Sequence, residues 1–196
     1  MELDGSIPTD NPFTGSYTFS LGHRNPQGIG WHPETGEAYE TENGPDRFDE
    51  MNRIHAGGNF GWPDITCSTN SAGNAKGPSD AQFRGPLACY ETFTFAPSGL
   101  TFVSDRDSPW YGSMFVAGMR GKHLRRYRVE GDQLLEEEIA FVADNSRVSG
   151  DRRLHRSLSR RLRDVKFHDG WLYIIGDQFG MVRIRPDGPA DVALVR

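Results

Sequence analysis

Gly28-Ile-Gly-Trp-His-Pro-Glu-Thr-Gly-Glu-Ala-Tyr-Glu-Thr41 decides the fold: two strand-like runs flank a Pro-Glu-Thr-Gly turn, giving strand, turn, strand. A polar loop follows, and Glu50-Met-Asn-Arg-Ile54 reads as a third strand ending at Gly57-Gly58. The same order returns twice. Gly99-Leu-Thr-Phe-Val103, Ser113-Met-Phe-Val-Ala117 and His123-Leu-Arg-Arg-Tyr-Arg-Val129 make a second unit. Asp164-Val-Lys-Phe-His168, Trp171-Leu-Tyr-Ile-Ile175 and Gly180-Met-Val-Arg-Ile-Arg185 make a third. Their first strands begin roughly 65–70 residues apart, the self-similarity of a repeat architecture. Helical periodicity is scarce: residues 125–138 hold helix formers, but their apolar members fit a 3.6 period badly and Gly131 interrupts them.

The fold expected is all-β, a partial β-propeller of about three antiparallel blades, with residues 1–196 as a single incomplete propeller domain. A sandwich is the structural alternative, but it does not predict three units with matching loops. Closed propellers have roughly four to eight blades. Three alone leave open edge strands and an uncovered inner face. The chain is therefore expected to be a piece of a larger propeller, or to self-associate until a ring closes.

Composition bounds the function. Hydrophobic residues are 36% and charged residues 25%, with 23 Gly and 12 Pro, a globular balance rich in turn formers. A formal net charge of −5 argues against a nucleic-acid footprint. The basic run over residues 152–163 goes against that trend and reads as a solvated loop. No apolar stretch approaches the roughly 18 residues that cross a membrane, and the first residues carry neither the basic nor the apolar region of a signal peptide. Cys67 and Cys89 either form one disulfide across a Gly/Ser/Asn-rich loop or remain thiols.

The unusual polar residues fall at equivalent places. Arg24 and Asn25 precede the first strand of unit one, and Arg161 and Arg163 precede that of unit three. Asn43-Gly44-Pro45, Met119-Arg120-Gly121 and Asp177-Gln178 all follow second strands. In an antiparallel blade those two loops share an end, so the three sets converge on one end of the propeller, where loops on a rigid scaffold carry function. Arg161 and Arg163 alternate about Leu162 and point to one side. Arg24, Arg120, Arg161 and Arg163 together suit an anionic ligand, best a planar polycarboxylate held by bidentate forks. Gly44-Pro45 followed by Asp46, Asp49 and Glu50 suggests a hard cation held by carbonyls and carboxylates.

These residues match a known family. Gly22-His-Arg-Asn-Pro-Gln-Gly28, Thr41-Glu-Asn-Gly-Pro45, Asp49-Glu-Met-Asn52 and Gly57-Gly-Asn-Phe-Gly-Trp-Pro63 resemble the soluble, pyrroloquinoline quinone-dependent glucose/sorbosone dehydrogenases. Ala96-Pro-Ser-Gly99, Arg161-Leu-Arg-Asp-Val165 and Leu172-Tyr-Ile-Ile-Gly-Asp177 continue the match in order. The resemblance implies a six-bladed propeller, of which this would be the C-terminal part. It implies that Arg24, Asn25, Arg120, Arg161 and Arg163 contact the quinone, and that the Gly44 and Pro45 carbonyls coordinate calcium. The implied reaction is hydride transfer from the C1 hydroxyl carbon of an aldose to the quinone. The implied relatives are periplasmic or secreted.

The departures are equally specific. The family's general base is a histidine in the N-terminal half, and none of His23, His32, His55, His123, His155 and His168 matches it. His23 lies beside Arg24 but reads as structural. The expectation is thus a fragment without a catalytic residue of its own. Glu91-Thr-Phe-Thr-Phe95 replaces an aromatic, proline-bearing family segment bordering the sugar, and residues 145–159 look inserted. Two other classes compete: a non-catalytic interaction module, and a hydrolase, for which no convincing nucleophile–base pair stands out.

Overall fold

The computed structural model describes residues 2–67, 69–70, 83–142, 161–177, 180–185 and 193–195. The run at 145–159 and most of the basic run at 152–163 lie outside the described residues. Three four-stranded antiparallel sheets organise the chain. The first contains β1 (Pro26–Trp31), β2 (Ala38–Glu42), β3 (Asp49–Arg53) and β6 (Ala88–Tyr90). A two-stranded excursion, β4 (Ile65–Thr66) with β5 (Thr69–Asn70), interrupts it. The second contains β7 (Pro97–Phe102), β8 (Met114–Gly118), β9 (His123–Glu130) and β10 (Gln133–Val142), in order. The third contains β11 (Leu162–His168), β12 (Trp171–Gly176), β13 (Gly180–Ile184) and β14 (Ala193–Val195).

Each unit read in the sequence becomes the inner three strands of a sheet, and each sheet gains a fourth, outer strand. Residues 125–138 become the hairpin β9–β10. Gly131, at φ 54°, forms its two-residue turn with Asp132, because Glu130 pairs with Gln133. The consecutive glutamates of β10 face β9 arginines: Arg128 Nη1 meets Glu136 at 2.9 Å and Arg126 Nε meets Glu138 at 2.9 Å.

The sheets stack as blades through a shared innermost layer. β8 shows why its sequence is apolar on both faces. Met114 and Val116 enter the core between the first and second blades, with Tyr39, Met51 and Leu100. Phe115 and Ala117 enter the core between the second and third, with Leu162, Val165 and Ile174. Both faces of one strand are buried, so alternation in polarity disappears. The inner strands approach closely. A Cβ on Gly28 of β1 would meet the Ser98 carbonyl oxygen of β7 at 2.5 Å. Thr41 Oγ1 donates to that same carbonyl at 2.9 Å, and Ser98 Oγ lies 2.9 Å from the Leu162 carbonyl of the third blade.

The register carries one repeated irregularity. Between inner and second strands, the pairing shifts after Pro26↔Glu42, after Pro97↔Gly118 and after Leu162↔Gly176. The extra residue is Gln27 in the first blade and Arg163 in the third, while in the second Ser98 and Gly99 together oppose Ala117, one bulge at the same level of each blade, of the kind that re-aims a side chain.

The three blades do not close a ring among the described residues. Ile29 and Trp31, on the face of β1, are 53% and 60% exposed, so one side of the first blade lacks a neighbour. No helix among the described residues is long and apolar enough to cross a membrane. Cys67 and Cys89 form a disulfide with Cα atoms 5.7 Å apart, which resolves the alternative that the sequence left open.

Candidate functional site

One backbone hydrogen bond recurs at the same end of each blade. Asn43 N–H donates to the Asn25 carbonyl at 3.1 Å, Met119 to Ala96 at 2.8 Å, and Asp177 to Arg161 at 3.0 Å. The loop entering each inner strand is thereby tied to the turn leaving the second strand. Arg24, Asn25, Gly44, Pro45, Arg120, Arg161 and Arg163 all sit on or beside these ties.

The first blade's cluster is the most closely built. Arg24 Nη1 donates to the carbonyls of Asn43 at 2.7 Å and Gly44 at 2.9 Å, and its guanidinium carbon lies 5.1 Å above the Trp62 ring. Glu42, buried at the end of β2, accepts from the backbone N–H groups of Arg24 at 2.7 Å and Asn25 at 3.3 Å. Gln27, in the bulge, donates to the Asn25 side chain at 2.8 Å. Asp49 uses one oxygen for Gly44 N–H at 3.1 Å and the other for Ala96 N–H at 2.7 Å, so a single carboxylate sets the loops of two blades.

The acidic residues of this loop therefore depart from the sequence reading. Asp49 spends both oxygens on backbone N–H groups, and Glu50 is buried in the blade. Pro45, Asp46 and Arg47 remain exposed in the loop beyond Gly44. Of the cation-binding set, the Gly44 carbonyl already accepts from Arg24, and Asp46 is the one carboxylate left exposed.

The third blade presents Arg161 and Arg163 to solvent with Leu162 fully buried between them. Arg163 is not free. Its Nε and Nη2 grip Asp177 at 2.7 and 2.9 Å, and its Nη1 reaches the Met119 sulfur of the second blade at 3.4 Å. Arg120 is exposed on that same turn, and among the described residues neither its side chain nor that of Arg161 carries an ion pair. The structure thus joins Arg24, Asn25 and Gly44 directly, and Arg163 with the turn that carries Arg120. It does not bring all five cofactor-contact candidates into one contact set.

Glu42 and Trp62 are the residues that sequence reasoning did not single out as parts of this site, and Asp49 and Asp177, which it did place there, turn out to bind backbone N–H groups and Arg163. Glu42, Asp49 and Trp62 lie inside motifs recognisable from sequence. Their work on backbone N–H groups and on a guanidinium face appears only once the loops are folded.

The buried polar atoms test whether a bound group fits. Arg24 Nε and Asn43 Oδ1 are buried and lack hydrogen-bond partners. A donor and an acceptor without partners beside an inward carbonyl suit an anionic ligand paired with a cation. A cation alone at Gly44 would share its carbonyl with the Arg24 guanidinium.

These features define a propeller segment whose polar loop residues gather at one end of its blades. The chain belongs to the glucose/sorbosone dehydrogenase family, whose model matches residues 1–183. It is similar to the aldose sugar dehydrogenase YliI of Escherichia coli, 32% identical over 185 residues, covering 89% of this chain and 46% of that protein. Among solved structures, a glucose dehydrogenase superposes with TM-score 0.72 at 31% identity, covering 92% of this chain and 51% of that one. The quinone-bound aldose sugar dehydrogenase of Streptomyces coelicolor superposes with TM-score 0.65 at 29% identity, covering 89% and 44%. The chain spans about half the length of these relatives.

Proposed function

We propose that this chain supplies the cofactor-holding end of an aldose dehydrogenase that uses pyrroloquinoline quinone and calcium. Arg24, Asn25, Arg120, Arg161 and Arg163 would hold the quinone's carboxylates and carbonyls, and the Gly44 and Pro45 carbonyls would hold calcium. The observation that carries this reading is the Arg24 guanidinium seated on the Gly44 carbonyl, with Arg24 Nε left unpartnered. The Streptomyces coelicolor relative has been solved with pyrroloquinoline quinone bound, which supports the choice of ligand.

Held by these residues, the quinone would supply an acceptor for the hydride of the sugar C1 carbon, and calcium a Lewis acid beside it. The chain's own part is positional. Glu42 fixes the Arg24–Asn25 backbone, Trp62 covers one face of the guanidinium, and Asp49 ties the Gly44 loop to the second blade. Arg161, and Arg163 once released from Asp177, would offer guanidinium donors to carboxylates. No histidine of this chain is assigned as base. The base that takes the C1 hydroxyl proton would come from propeller outside these three blades, in which case they do not oxidise sugar alone. We place the complete protein where its relatives are expected, in the periplasm or outside the cell, where the Cys67–Cys89 disulfide persists.

A second reading is a non-catalytic interaction module that closes its own ring. The exposed Ile29 and Trp31 favour it, because an apolar blade face calls for a cover. Mass in solution separates the two: this reading requires an assembly of several chains without cofactor.

The test is calcium-dependent binding of pyrroloquinoline quinone to the purified chain. Micromolar binding, lost with a chelator and in Arg24→Ala and Arg161→Ala, is the expected result. A folded chain that binds no quinone would remove the cofactor assignment.

A further inference from the structure

Behind the ligand end, the first blade buries three carboxyl groups close together. Glu40, Glu42 and Glu50 are 4%, 3% and 4% exposed. A single neutral amide serves all three: Asn52 Nδ2 lies 2.7 Å from Glu40 Oε1, 3.3 Å from Glu50 Oε2 and 3.5 Å from Glu42 Oε1. Backbone N–H groups complete Glu42 and assist Glu50, whose other oxygen accepts from Cys67 N–H. Glu40 Oε2 has no partner although it is buried, and neither does Asn52 Oδ1 or His23 Nδ1. Burial raises the Glu40 carboxyl above the usual carboxylate range. A buried carboxylate requires a counter-charge or full hydrogen bonding, and Glu40 is the member left short of both.

His23 is held for a purpose the dehydrogenase reading does not use. Its ring stacks on Phe60 with centroids 4.6 Å apart, and Nε2 lies 2.8 Å from Ser20 Oγ. That leaves Nδ1 facing Glu40 Oε1 at 3.7 Å. The gap is too long for an N–H···O hydrogen bond, which closes at about 2.9 Å. It is the separation of two ligands on one ion, each at about 2.0–2.2 Å with an open angle between them. Ligand atoms of His23, Glu40 and Glu42 all lie within 4.8 Å of one another.

We propose that His23 Nδ1, Glu40 and Glu42 form a site for a first-row divalent cation, zinc or manganese, separate from the Gly44 and Pro45 carbonyls. An imidazole nitrogen beside two carboxylates selects such an ion over calcium, which takes oxygen ligands. Ser20 is the outer hydrogen-bond partner that fixes the ring and leaves Nδ1 free to bind. His23 and Glu40 also line a groove bounded by Phe19, Pro26, Ile29 and Ile54, which admits the ion and leaves room for water in its remaining positions. The ion would neutralise the carboxylates and, through Glu42, stiffen the Arg24–Asn25 backbone. The assignment stands apart from the cofactor reading, since it invokes none of the quinone contacts.

The experiment titrates the metal-free chain with Zn²⁺ by calorimetry and with Mn²⁺ by electron paramagnetic resonance, both in excess Ca²⁺. One ion per chain is expected, unaffected by Ca²⁺, with a nitrogen coupling in the Mn²⁺ spin-echo spectrum that His23→Gln abolishes. Glu40→Gln should weaken Zn²⁺ binding by at least about tenfold, while the exposed control Glu34→Gln should leave it unchanged. Glu40→Gln removes a buried charge and keeps the shape, so the metal-free variant should unfold no earlier than the parent, and lost binding is not lost folding. A folded chain that binds neither ion, or an affinity that Glu40→Gln lowers by less than tenfold, overturns the site.

Discussion

Arg24 Nη1 rests 2.9 Å from the Gly44 carbonyl oxygen, so the carbonyl offered to a cation is already held by one. Calcium arriving alone meets like charge there. An anionic ligand that takes the guanidinium's donors removes the conflict. Calcium and the quinone should therefore bind cooperatively, each raising the other's affinity by the same factor. Calorimetry of calcium with and without quinone checks this, and equal affinities would disprove the coupling. In Arg24→Ala, quinone binding should fall at least about tenfold, whereas calcium alone should bind no worse.

Asp177 competes with any carboxylate for Arg163. The pair is two-pronged yet open to solvent, with side chains 46% and 36% exposed. Asp177→Asn should cost under about 1 kcal/mol of stability and should strengthen quinone binding by up to roughly fivefold. Denaturant unfolding and a quinone titration measure the two effects. Weaker binding in the variant would mean that Asp177 orients Arg163 for the ligand instead of occupying it.

The disulfide closes a loop of 22 residues between Cys67 and the outer strand β6. Reduction should lower unfolding free energy by about 3 kcal/mol in the chain-entropy account. The double variant Cys67→Ser with Cys89→Ser should match the reduced parent. Urea midpoints with and without reductant decide it.

Burial pushes the Glu50 carboxyl up to about 8, so it stays protonated in the folded chain where the unfolded chain has ionised. The native state then binds more protons between the unfolded value of 4.5 and about 8. Stability from this group is full below that interval and is lost as pH rises through it. Unfolding of the chelated chain at pH 5 and pH 8 should show that slope, and Glu50→Gln should flatten it.

The inner strands were legible because burial on both faces, or on one, leaves a plain apolar signature. β8, from Met114 to Gly118, is the clearest case. The outer strands were not. β10 is written in glutamates that resemble a solvated helix surface, and only their pairing with Arg126 and Arg128 across the hairpin makes them a strand. β6 is three residues long and follows a loop with no pattern of its own. The shared end of the site could be read because antiparallel geometry fixes which loops meet. The partners of its arginines could not. Arg163 finds Asp177 across a bulge, and Arg24 finds two carbonyls nineteen and twenty residues later, contacts with no periodic trace.

Because Gln27, Ser98 and Arg163 occupy the same bulge in successive blades, each stands outside the two-residue alternation that commits its neighbours to the core. The position carries a different chemistry in each blade. In this chain it has become an amide that steadies a neighbouring asparagine, a hydroxyl that stitches two blades together, and a cation offered to solvent. One irregularity of the backbone thus serves a loop, a seam between blades and the open end of the site in turn.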